Sequence, residues 1–413
     1  MNSKRRLAIN GGEQSRTTPL PDGNKVGAEE LRELTDVIES GQLFRWAGTK
    51  VVQFEKEFAE LHGIKHAVAS SSGTSSIHVA LGMIDPAPGD EIITPPITDL
   101  GSILPIIYQN CIPIFADVLP DTYNLDPASV EANITEKTKA ILAIHLFGNA
   151  TDMNPILEIA RKHNLVVIED CSQAHLAEYQ RELVGTFGDI GCFSLQQSKH
   201  MTTGAGGVTI TNNDEYGRRG LLFTDKGQHQ DWEWPRKYSI IGLNYHMTEL
   251  QGAVACAQVR KVRDVVERRR RNGDLLTTLI SDAPHIQSQR ILPGCKGSYW
   301  LYGLTINSEA PFSARQFVEA LRAEGVPGSP SYIGKPIFLC SEAVETQSTF
   351  GGTSHPWDHP RARKGIRYYE GLCPVTEDIL NRMVTIPMRE WYAESDVRDI
   401  ATAICKVAEL YRP

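Results

Sequence analysis

Three side chains that follow short apolar segments could together act on a carbonyl compound. Asp170 directly follows the segment Leu165–Glu169, and Ser194 and Lys199 follow the next apolar segment along the chain. A lysine amine can form a Schiff base with an aldehyde, and an aspartate carboxylate can keep a heterocyclic nitrogen protonated. Taken singly, such an aspartate is usually a cap or turn residue, and such a lysine is usually solvated. The chemical interpretation therefore needs a further element.

A run of small polar residues, Ser70–Ser76, supplies that element. It follows the apolar segment His66–Ala69 and precedes the helical run Ile77–Leu81. Small residues at a strand-to-helix turn expose backbone amides at the positive end of the helix dipole, where a phosphate binds well. A phosphate turn, an aspartate and a lysine in this order predict a site for pyridoxal phosphate.

The segments that carry these residues alternate between strand and helix patterns. Short β-branched or apolar runs predict seven strands: His66–Ser70, Glu91–Thr94, Ile112–Ala116, Ala140–His145, Leu165–Glu169, Ile190–Ser194 and Val208–Thr211. Helical patterns such as Asn154–His163 lie between most of them, which predicts an α/β fold with a mostly parallel sheet covered on both faces. Ligands in such sheets bind at the carboxyl ends of the strands, where Asp170 and Ser194 lie.

The C-terminal part of the chain has a different pattern. It is predicted to contain a long helix, a strand, two loops and a closing helix: Met247–Leu279, Ser298–Leu304, Gly325–Pro330, Gly351–Gly365 and Ser395–Leu410. We therefore predict two domains. Residues 1–285 would form an N-terminal segment and a large domain that binds pyridoxal phosphate, and residues 286–413 would form a smaller C-terminal α/β domain.

Charge and composition exclude several classes of protein. The 413-residue chain has a net charge of -8, so no broad basic surface for nucleic acid is expected. Its eight cysteines are scattered without a CxxC pair, which indicates reduced thiols in a cytoplasmic protein rather than a disulfide framework or a zinc site. Residues 1–6 are followed by no long apolar segment, so neither a signal peptide nor a membrane span is predicted.

From about Leu7 to its C-terminus the chain resembles the DegT/StrS family of sugar and cyclitol aminotransferases. Seven stretches carry the resemblance: Ser72–Thr74, Glu91–Pro95, His145–Gly148, Glu169–Ala174, Gly188–Ser194, Gly204–Gly207 and Gly242–Glu249. The resemblance implies a fold-type-I enzyme of the aspartate aminotransferase superfamily. Such an enzyme has a seven-stranded, mostly parallel sheet sandwiched by helices, binds pyridoxal 5'-phosphate, and acts on a small-molecule amino donor and a keto acceptor.

The resemblance also implies roles for the residues around the ring of the cofactor. Lys199 would form the Schiff base and then move the proton between the substrate carbon and the cofactor. Asp170 would pair with the pyridinium nitrogen. Gln173 would contact the hydroxyl group of the ring.

The phosphate group has its own implied ligands. Gly73, Thr74 and Ser194 match the family's phosphate cradle, which combines backbone amides with hydroxyl donors. Asn244 matches a residue that reaches the phosphate from the neighbouring subunit. This match implies a homodimer whose two sites are each completed by the other subunit.

The chain departs from the family pattern at several positions near the site. Asp99 stands where the family usually has an aromatic ring that stacks on the cofactor. Three alternatives follow: another ring covers the cofactor, Asp99 contacts the substrate amine or hydroxyls, or Asp99 only caps the helix that begins at Leu100. Ala205 replaces an acidic residue, and His246 replaces an arginine or lysine. Asp99, His200 and His246 are candidate substrate contacts, although adjacent residues of an extended chain point to opposite sides, which favours a structural role for His200.

These features predict an aminotransferase that passes an amino group from L-glutamine or L-glutamate to a keto sugar, keto cyclitol or related polyol in aminosugar or secondary-metabolite biosynthesis, without a metal. An alternative, motivated by Asp99 and Ala205, is a dehydratase, eliminase or oxidative enzyme that uses the same cofactor on a sugar- or nucleoside-like substrate. A silent cofactor-binding protein is disfavoured because the aspartate, glutamine, serine and lysine are all present. The Trp-rich segment Gln228–Arg236 could stack on a base or sugar, or pack in a dimer interface.

Overall fold

The computed structural model describes residues 6–229 and 234–411. Thirteen strands occur within these ranges: β1 (His66–Ser70), β2 (Glu91–Thr94), β3 (Ile112–Phe115), β4 (Thr138–Ile144), β5 (Val166–Asp170), β6 (Glu178–Tyr179), β7 (Glu182–Leu183), β8 (Ile190–Ser194), β9 (Gly207–Thr211), β10 (Ile286–Ser288), β11 (Leu301–Ile306), β12 (Ser329–Pro330) and β13 (Met383–Pro387).

The same ranges contain thirteen α-helices: α1 (Ala28–Ser40), α2 (Lys50–His62), α3 (Gly73–Ile84), α4 (Leu104–Tyr108), α5 (Pro127–Ala132), α6 (Met153–His163), α7 (Asp214–Thr224), α8 (Glu249–Leu279), α9 (Ala314–Ala323), α10 (Ile337–Cys340), α11 (Glu342–Glu345), α12 (Pro374–Arg382) and α13 (Glu394–Leu410). Short 3-10 turns add Ala8–Asn10, Leu100–Ser102, Leu146–Gly148 and Phe350–Gly352.

A seven-stranded sheet forms the centre of the molecule, with the strand order β1-β9-β8-β5-β4-β2-β3. Strand β9 runs antiparallel to both of its neighbours, and the remaining pairs are parallel. All seven predicted strands belong to this sheet, and their ends agree with the prediction to within two residues. The predicted α/β class with a mostly parallel sheet is therefore confirmed.

Successive residues of the central strands point to opposite faces of the sheet and build two separate cores. On one face Ile141 and Val167 pack with helices α2, α6 and α8. On the other face Leu142 and Ile168 pack with helices α3 and α7. Strands that are apolar on both faces need helices on both sides, which is the arrangement predicted from the continuous apolar runs.

A four-stranded antiparallel sheet, in the order β10-β11-β13-β12, forms a second layer with a core of its own. Helix α8 connects the two regions, because Val262 lies in the core of the large sheet and Leu276 lies in the core of the small one. Leu7 also packs in the smaller core, so the N-terminal segment contacts the C-terminal region. The domain boundary at residues 285 and 286 stays a prediction.

Part of the C-terminal region packs on the large sheet. Helix α10 buries Ile337 and Phe338 in the core of the large sheet, where Phe338 lies 4.9 Å from Phe115 between ring centroids. The predicted loop Gly325–Pro330 ends in the short strand β12, which pairs with β13. None of the described helices has the length and apolar character needed to cross a membrane.

Candidate active site

A cavity of about 350 Å³ opens at the carboxyl ends of the central strands. The sequence-predicted residues that line it are Gly73, Thr74, Asp99, Asp170, Gln173, Ser194 and Lys199. Strands β5 and β8 are neighbours in parallel register, with Asp170 opposite Cys192, so their ends bring Asp170 and Ser194 to the same edge. The alternation of strands and helices thus gathers residues that lie more than a hundred positions apart.

The turn between β1 and α3 forms one end of the cavity. Ser72 is the N-cap of α3, and its hydroxyl accepts a hydrogen bond from the backbone N–H of Ser75. The amides of Gly73 and Thr74 lie in the first helical turn, where the helix itself offers no carbonyl partner. Gly73 packs so closely on Ser194 that a Cβ atom would lie 2.6 Å from the serine Cβ. This end combines first-turn amides with hydroxyl groups, which suits a phosphate.

Asp170 is buried at the other end of the strand edge, with only 3% of its surface exposed. One carboxylate oxygen accepts the backbone N–H of Ser172 at 2.9 Å, and the other accepts the hydroxyl of Ser102 at 2.7 Å. The hydroxyls of Ser102 and Thr98 lie 2.9 Å apart and extend this network. Both hydrogen bonds fix the orientation of the carboxylate. Sequence reasoning missed Ser102, because no local pattern places it beside Asp170.

Gln173 is held by two groups that fix the direction of its amide. Its side-chain oxygen accepts the N–H of Phe147 at 2.9 Å, and its side-chain nitrogen donates to the hydroxyl of Tyr332 at 3.1 Å. Burial raises the pKa of the Tyr332 phenol well above its usual range, so it stays protonated near neutral pH. Tyr332 lines the cavity but was not predicted from the sequence.

Lys199 extends into the cavity between these groups, and its Nζ atom lies 3.8 Å from the ring centroid of Trp300. Burial lowers the pKa of Lys199 to about 8, while Asp170 and Asp99 oppose the shift. An amine with this pKa is far more often neutral and nucleophilic near pH 7 than an exposed lysine. Trp300 is a second lining residue that the sequence did not reveal.

Asp99 lines the cavity, and its side chain caps a turn. Its carboxylate accepts the N–H of Gly101 at 2.8 Å at the start of the 3-10 turn Leu100–Ser102. Ala205 contributes through its backbone, since its carbonyl accepts hydrogen bonds from Thr203 and Gln251. Asp99 thus has a capping role, and Ala205 also lines the cavity.

His200 and His246 do not line the cavity. The buried ring of His200 donates from Nε2 to the carbonyl of Ser298 at 2.9 Å, and burial holds its pKa well below the usual range. The Nε2 atom of His246 lies 3.4 Å from a carboxylate oxygen of Asp225. The His246 ring also makes an edge contact with Phe44, with 5.2 Å between the ring centroids. The structure therefore gives neither histidine a place in the cavity of its own chain.

Two further candidates, Asn244 and the described part of the Trp-rich segment, contribute no residue to the lining of the cavity. Asn244 is exposed and lies outside the lining of the cavity. Of the Trp-rich segment Gln228–Arg236, residues 230–233 lie outside the described part of the chain, and Trp234 is 89% exposed.

Glu169, next to Asp170, serves the fold instead of the cavity. Its buried carboxylate accepts backbone N–H groups from Gly185, Phe187 and Gly188 at 2.7–2.8 Å. His145 donates to the same carboxylate at 3.0 Å. Of the two adjacent acidic residues, Glu169 therefore has a structural role and Asp170 lies in the site.

Comparisons with known proteins identify the family of the chain. The DegT/DnrJ/EryC1/StrS aminotransferase family matches residues 24–405. An L-glutamine:2-deoxy-scyllo-inosose aminotransferase of Streptomyces kanamyceticus is 35% identical over 428 aligned positions, which cover 98% of this chain and 97% of that protein. A GDP-perosamine synthase of Caulobacter vibrioides is 36% identical over 286 positions, covering 69% and 76% of the two chains. The solved structure of an aminotransferase from Psychrobacter cryohalolentis superposes with a TM-score of 0.82 at 28% identity, over 94% of this chain and 98% of that one.

Proposed function

Because the chain belongs to the DegT/DnrJ/EryC1/StrS aminotransferase family, we propose that it uses pyridoxal 5'-phosphate to transfer an amino group from L-glutamine to a keto cyclitol. One observation carries the choice of substrates. The relative from Streptomyces kanamyceticus, whose name specifies L-glutamine and a deoxy-inosose, matches nearly the full length of both chains. The dehydratase or oxidative alternative has less support, because the family and the relative that matches nearly the full chain are both named for amino transfer.

The polar groups of the cavity fit pyridoxal phosphate. The hydroxyls of Thr74 and Ser194 and the first-turn amides suit its phosphate, and the buried carboxylate of Asp170 suits its ring nitrogen. When bound, the cofactor supplies an aldehyde that binds amines covalently and a protonated ring that accepts electrons. Gln173, fixed by Phe147, would orient the ring through its hydroxyl.

Proton transfer is assigned to Lys199. Its pKa of about 8 lets Nζ both accept and release a proton near neutral pH. Asp170 would hold a proton at the ring nitrogen, because hydrogen bonds from Ser102 and Ser172 fix the position of its buried carboxylate. These two residues would thus control the two protons that the reaction needs.

The proposal includes a homodimer in which Asn244 completes the phosphate site of the neighbouring subunit. Asn244 is exposed on its own chain, and so are large apolar side chains beside it, Ile241 at 93% and Leu243 at 47%. Phe44, which contacts His246, is 48% exposed. Exposed apolar side chains that cluster in this way are typical of a protein interface.

We place the protein in the cytoplasm. All eight cysteines are free thiols, and five of them are buried. Free thiols persist in the reducing cytosol, whereas oxidising compartments favour disulfides.

Isotope transfer tests the proposed reaction. The protein is incubated with pyridoxal phosphate, 2-deoxy-scyllo-inosose and L-glutamine labelled with heavy nitrogen at its α-amino group. We expect a labelled amino cyclitol in the mass spectrum, because the α-amino nitrogen is the one transferred. Glutamine labelled only at the side-chain amide should give the unlabelled product, and Lys199→Ala should give no product.

A different product would contradict the proposal. Loss of water from the acceptor without nitrogen transfer would indicate an elimination. Transfer to a nucleotide-linked keto sugar, with no transfer to the inosose, would retain the aminotransferase and overturn the choice of acceptor.

A further inference from the structure

The N-terminal strap, which we define as residues 19–27, leads from the small sheet to the turn that carries Lys199. Just before the strap, Arg16 forms an ion pair with Asp396 at 2.8 Å, and its backbone N–H donates to the carbonyl of Glu324 at 3.0 Å. Within the strap, Gly23 packs so closely on Trp391 that a Cβ atom would lie 2.3 Å from the indole. The strap is therefore fixed to the C-terminal region before it reaches the active site.

Lys25 is the residue of the strap that contacts the turn. Its ammonium donates to the carbonyl of Lys199 and lies 3.4 Å from the carbonyl of Gln197. The carbonyl between them, that of Ser198, accepts the indole N–H of Trp300 at 3.1 Å. Each of three consecutive carbonyls of the turn thus contacts a side chain that is distant in the sequence.

Helix α8 ties the strap and the turn together through Gln258. The side-chain nitrogen of Gln258 donates to the carbonyl of Lys25 at 2.8 Å, and its side-chain oxygen accepts the N–H of Thr202 at 3.0 Å. Lys261, one helical turn later, lies 3.2 Å from the same carbonyl of Lys25. The backbone of Lys25 is therefore held from the helix while its side chain reaches the turn.

The charge and the burial of Lys25 support a specific contact between its ammonium and the turn. Burial lowers the pKa of Lys25 to about 8, with Arg269 acting in the same direction and Glu390 opposing it. Removing an ammonium from water is costly unless polar partners replace the water. Here the partners are backbone carbonyls of the turn, which itself presents Lys199 to the cavity.

We propose that Lys25 is a positioning residue, which fixes the backbone of the turn Gln197–Lys199 so that the amine of Lys199 enters the cavity in one orientation. The N-terminal strap then helps to position Lys199, although the strap lies outside every motif. This inference rests on the role proposed above for Lys199. A small displacement of a reacting amine costs rate more than affinity, because the geometry of attack is strict.

Amide hydrogen exchange of the protein without cofactor tests directly whether Lys25 fixes the backbone of the turn. Lys25→Met removes the charge and keeps a stem of similar length. We expect the protected amides of the turn, at Gln197, Lys199 and Thr203, to exchange at least about tenfold faster, which is the loss expected for a hydrogen bond to a charged group. Strand β4 (Thr138–Ile144), in the centre of the large sheet, is the internal reference and should be unchanged.

A matched control separates the turn from the attachment of the N-terminal segment. Lys406 also attaches the N-terminal segment to the C-terminal region. Its ammonium lies 2.8 Å from the carboxylate of Glu324 and 2.5 Å from the carbonyl of Glu13, and it does not contact the turn. Lys406→Met should leave the exchange of the turn amides unchanged. Lys25→Arg retains a cation with several donors and should restore at least part of the protection.

Kinetics of the complete enzyme give an independent result. Lys25→Met should lower kcat for the reaction with L-glutamine about tenfold or more, with KM for L-glutamine nearly unchanged, because the amine is displaced while the binding groups remain. Equal exchange at the turn in Lys25→Met and the wild type would overturn the inference. So would faster exchange spread equally over β4, or equal effects of Lys25→Met and Lys406→Met.

The outcomes also distinguish this inference from the proposed function. Failure of the wild type to attach pyridoxal phosphate to Lys199 would remove the proposed function and with it the meaning of the positioning. Normal attachment in the wild type, combined with unchanged exchange and kcat in Lys25→Met, would leave the function in place and reject only the role of Lys25.

Discussion

The cavity has two kinds of lining that differ in how they are held. The strand-end lining, formed by Asp170, Ser194 and the turn Ser72–Thr74, comes from neighbouring elements of a single sheet. The aromatic lining, formed by Trp300 and Tyr332, comes from two distant segments of the C-terminal region. The first lining carries charge and phosphate-binding groups, whereas the second contributes rings and a hydroxyl.

The two linings are also positioned by different forces. Asp170 stands opposite Cys192 in the ladder of β5 and β8, and Ser194 pairs with Gly207 in the ladder of β8 and β9. The rings of Trp300 and Tyr332 reach the site through side-chain contacts. Trp300 contacts the carbonyl of Ser198 and the amine of Lys199, and Tyr332 contacts Gln173. Backbone ladders fix the groups that must not move, and side-chain contacts adjust the surroundings of the amine. Substitutions should therefore cost more in the strand-end lining.

The largest effect is expected for Asp170→Asn. Asparagine keeps the shape of the side chain but removes the negative charge that, in the proposed function, would hold a proton on the ring nitrogen. We expect kcat with L-glutamine to fall by about 10² to 10³, the cost typical of losing one preorganised electrostatic contact. Steady-state kinetics with saturating cofactor measure this loss.

Asp117→Asn is the matched control outside the cavity. Asp117 follows β3 and accepts N–H groups of Val375 and Thr376 at 2.9 Å at the start of α12. Its replacement should lower stability by about 1 kcal/mol, as for other helix caps, without changing kcat. A similar fall of kcat in both variants would erase the difference between the strand-end lining and the rest of the sheet edge.

A smaller effect is expected for Ser102→Ala. The substitution removes a hydroxyl that donates to Asp170 at 2.7 Å. A hydrogen bond to a charged group contributes about 1.5 to 3 kcal/mol, so kcat should fall about tenfold or somewhat more. Thr98→Val, one hydrogen bond further from the carboxylate, should cost less. A larger loss in Thr98→Val than in Ser102→Ala would contradict the network described for Asp170.

The smallest effect is expected in the aromatic lining and concerns pH. Burial lowers the pKa of Lys199 to about 8, so the neutral amine, the form proposed to bind the cofactor, becomes more abundant as the pH rises through 8. The rate at which the cofactor-free protein takes up pyridoxal phosphate should rise over the same range. The indole face favours the ammonium form by about 0.5 to 1 kcal/mol, so Trp300→Leu should lower the pKa of Lys199 by less than about one unit.

Tyr332→Phe is the control variant for this test. It keeps a ring in the cavity and loses only the hydroxyl that contacts Gln173. The midpoint of cofactor uptake should therefore stay at the wild-type pH in Tyr332→Phe and move to lower pH in Trp300→Leu. An upward shift in Trp300→Leu would mean that the ring disfavours the ammonium, against the geometry described.

The strand-end lining could be predicted from the sequence, and the aromatic lining could not. Asp170, Ser194 and Lys199 follow apolar runs whose lengths identify strands, and parallel strands bring their ends together by a general rule. Trp300 was placed in a predicted strand but not at the site, because its contact with Lys199 spans about a hundred residues.

Several positions show the same limit of local patterns. Tyr332 follows a segment predicted as a loop, and Ser102 and Lys25 belong to no motif. A helix cap at Asp99 was predicted as one of three alternatives and is present in the structure. The roles of Asn244 and of the homodimer stay predictions, because they depend on a second chain. Contacts between distant segments are set by the packing of whole layers, which a local pattern does not encode.

Attachment of the cofactor to Lys199 is the central claim, and reduction with borohydride tests it most directly. The wild type is treated with pyridoxal phosphate, reduced and digested, and the peptides are weighed by mass spectrometry. We predict one peptide that carries the added mass of the reduced cofactor, with the modification at Lys199 and none in Lys199→Ala. Modification of another lysine, or of none, would contradict the account.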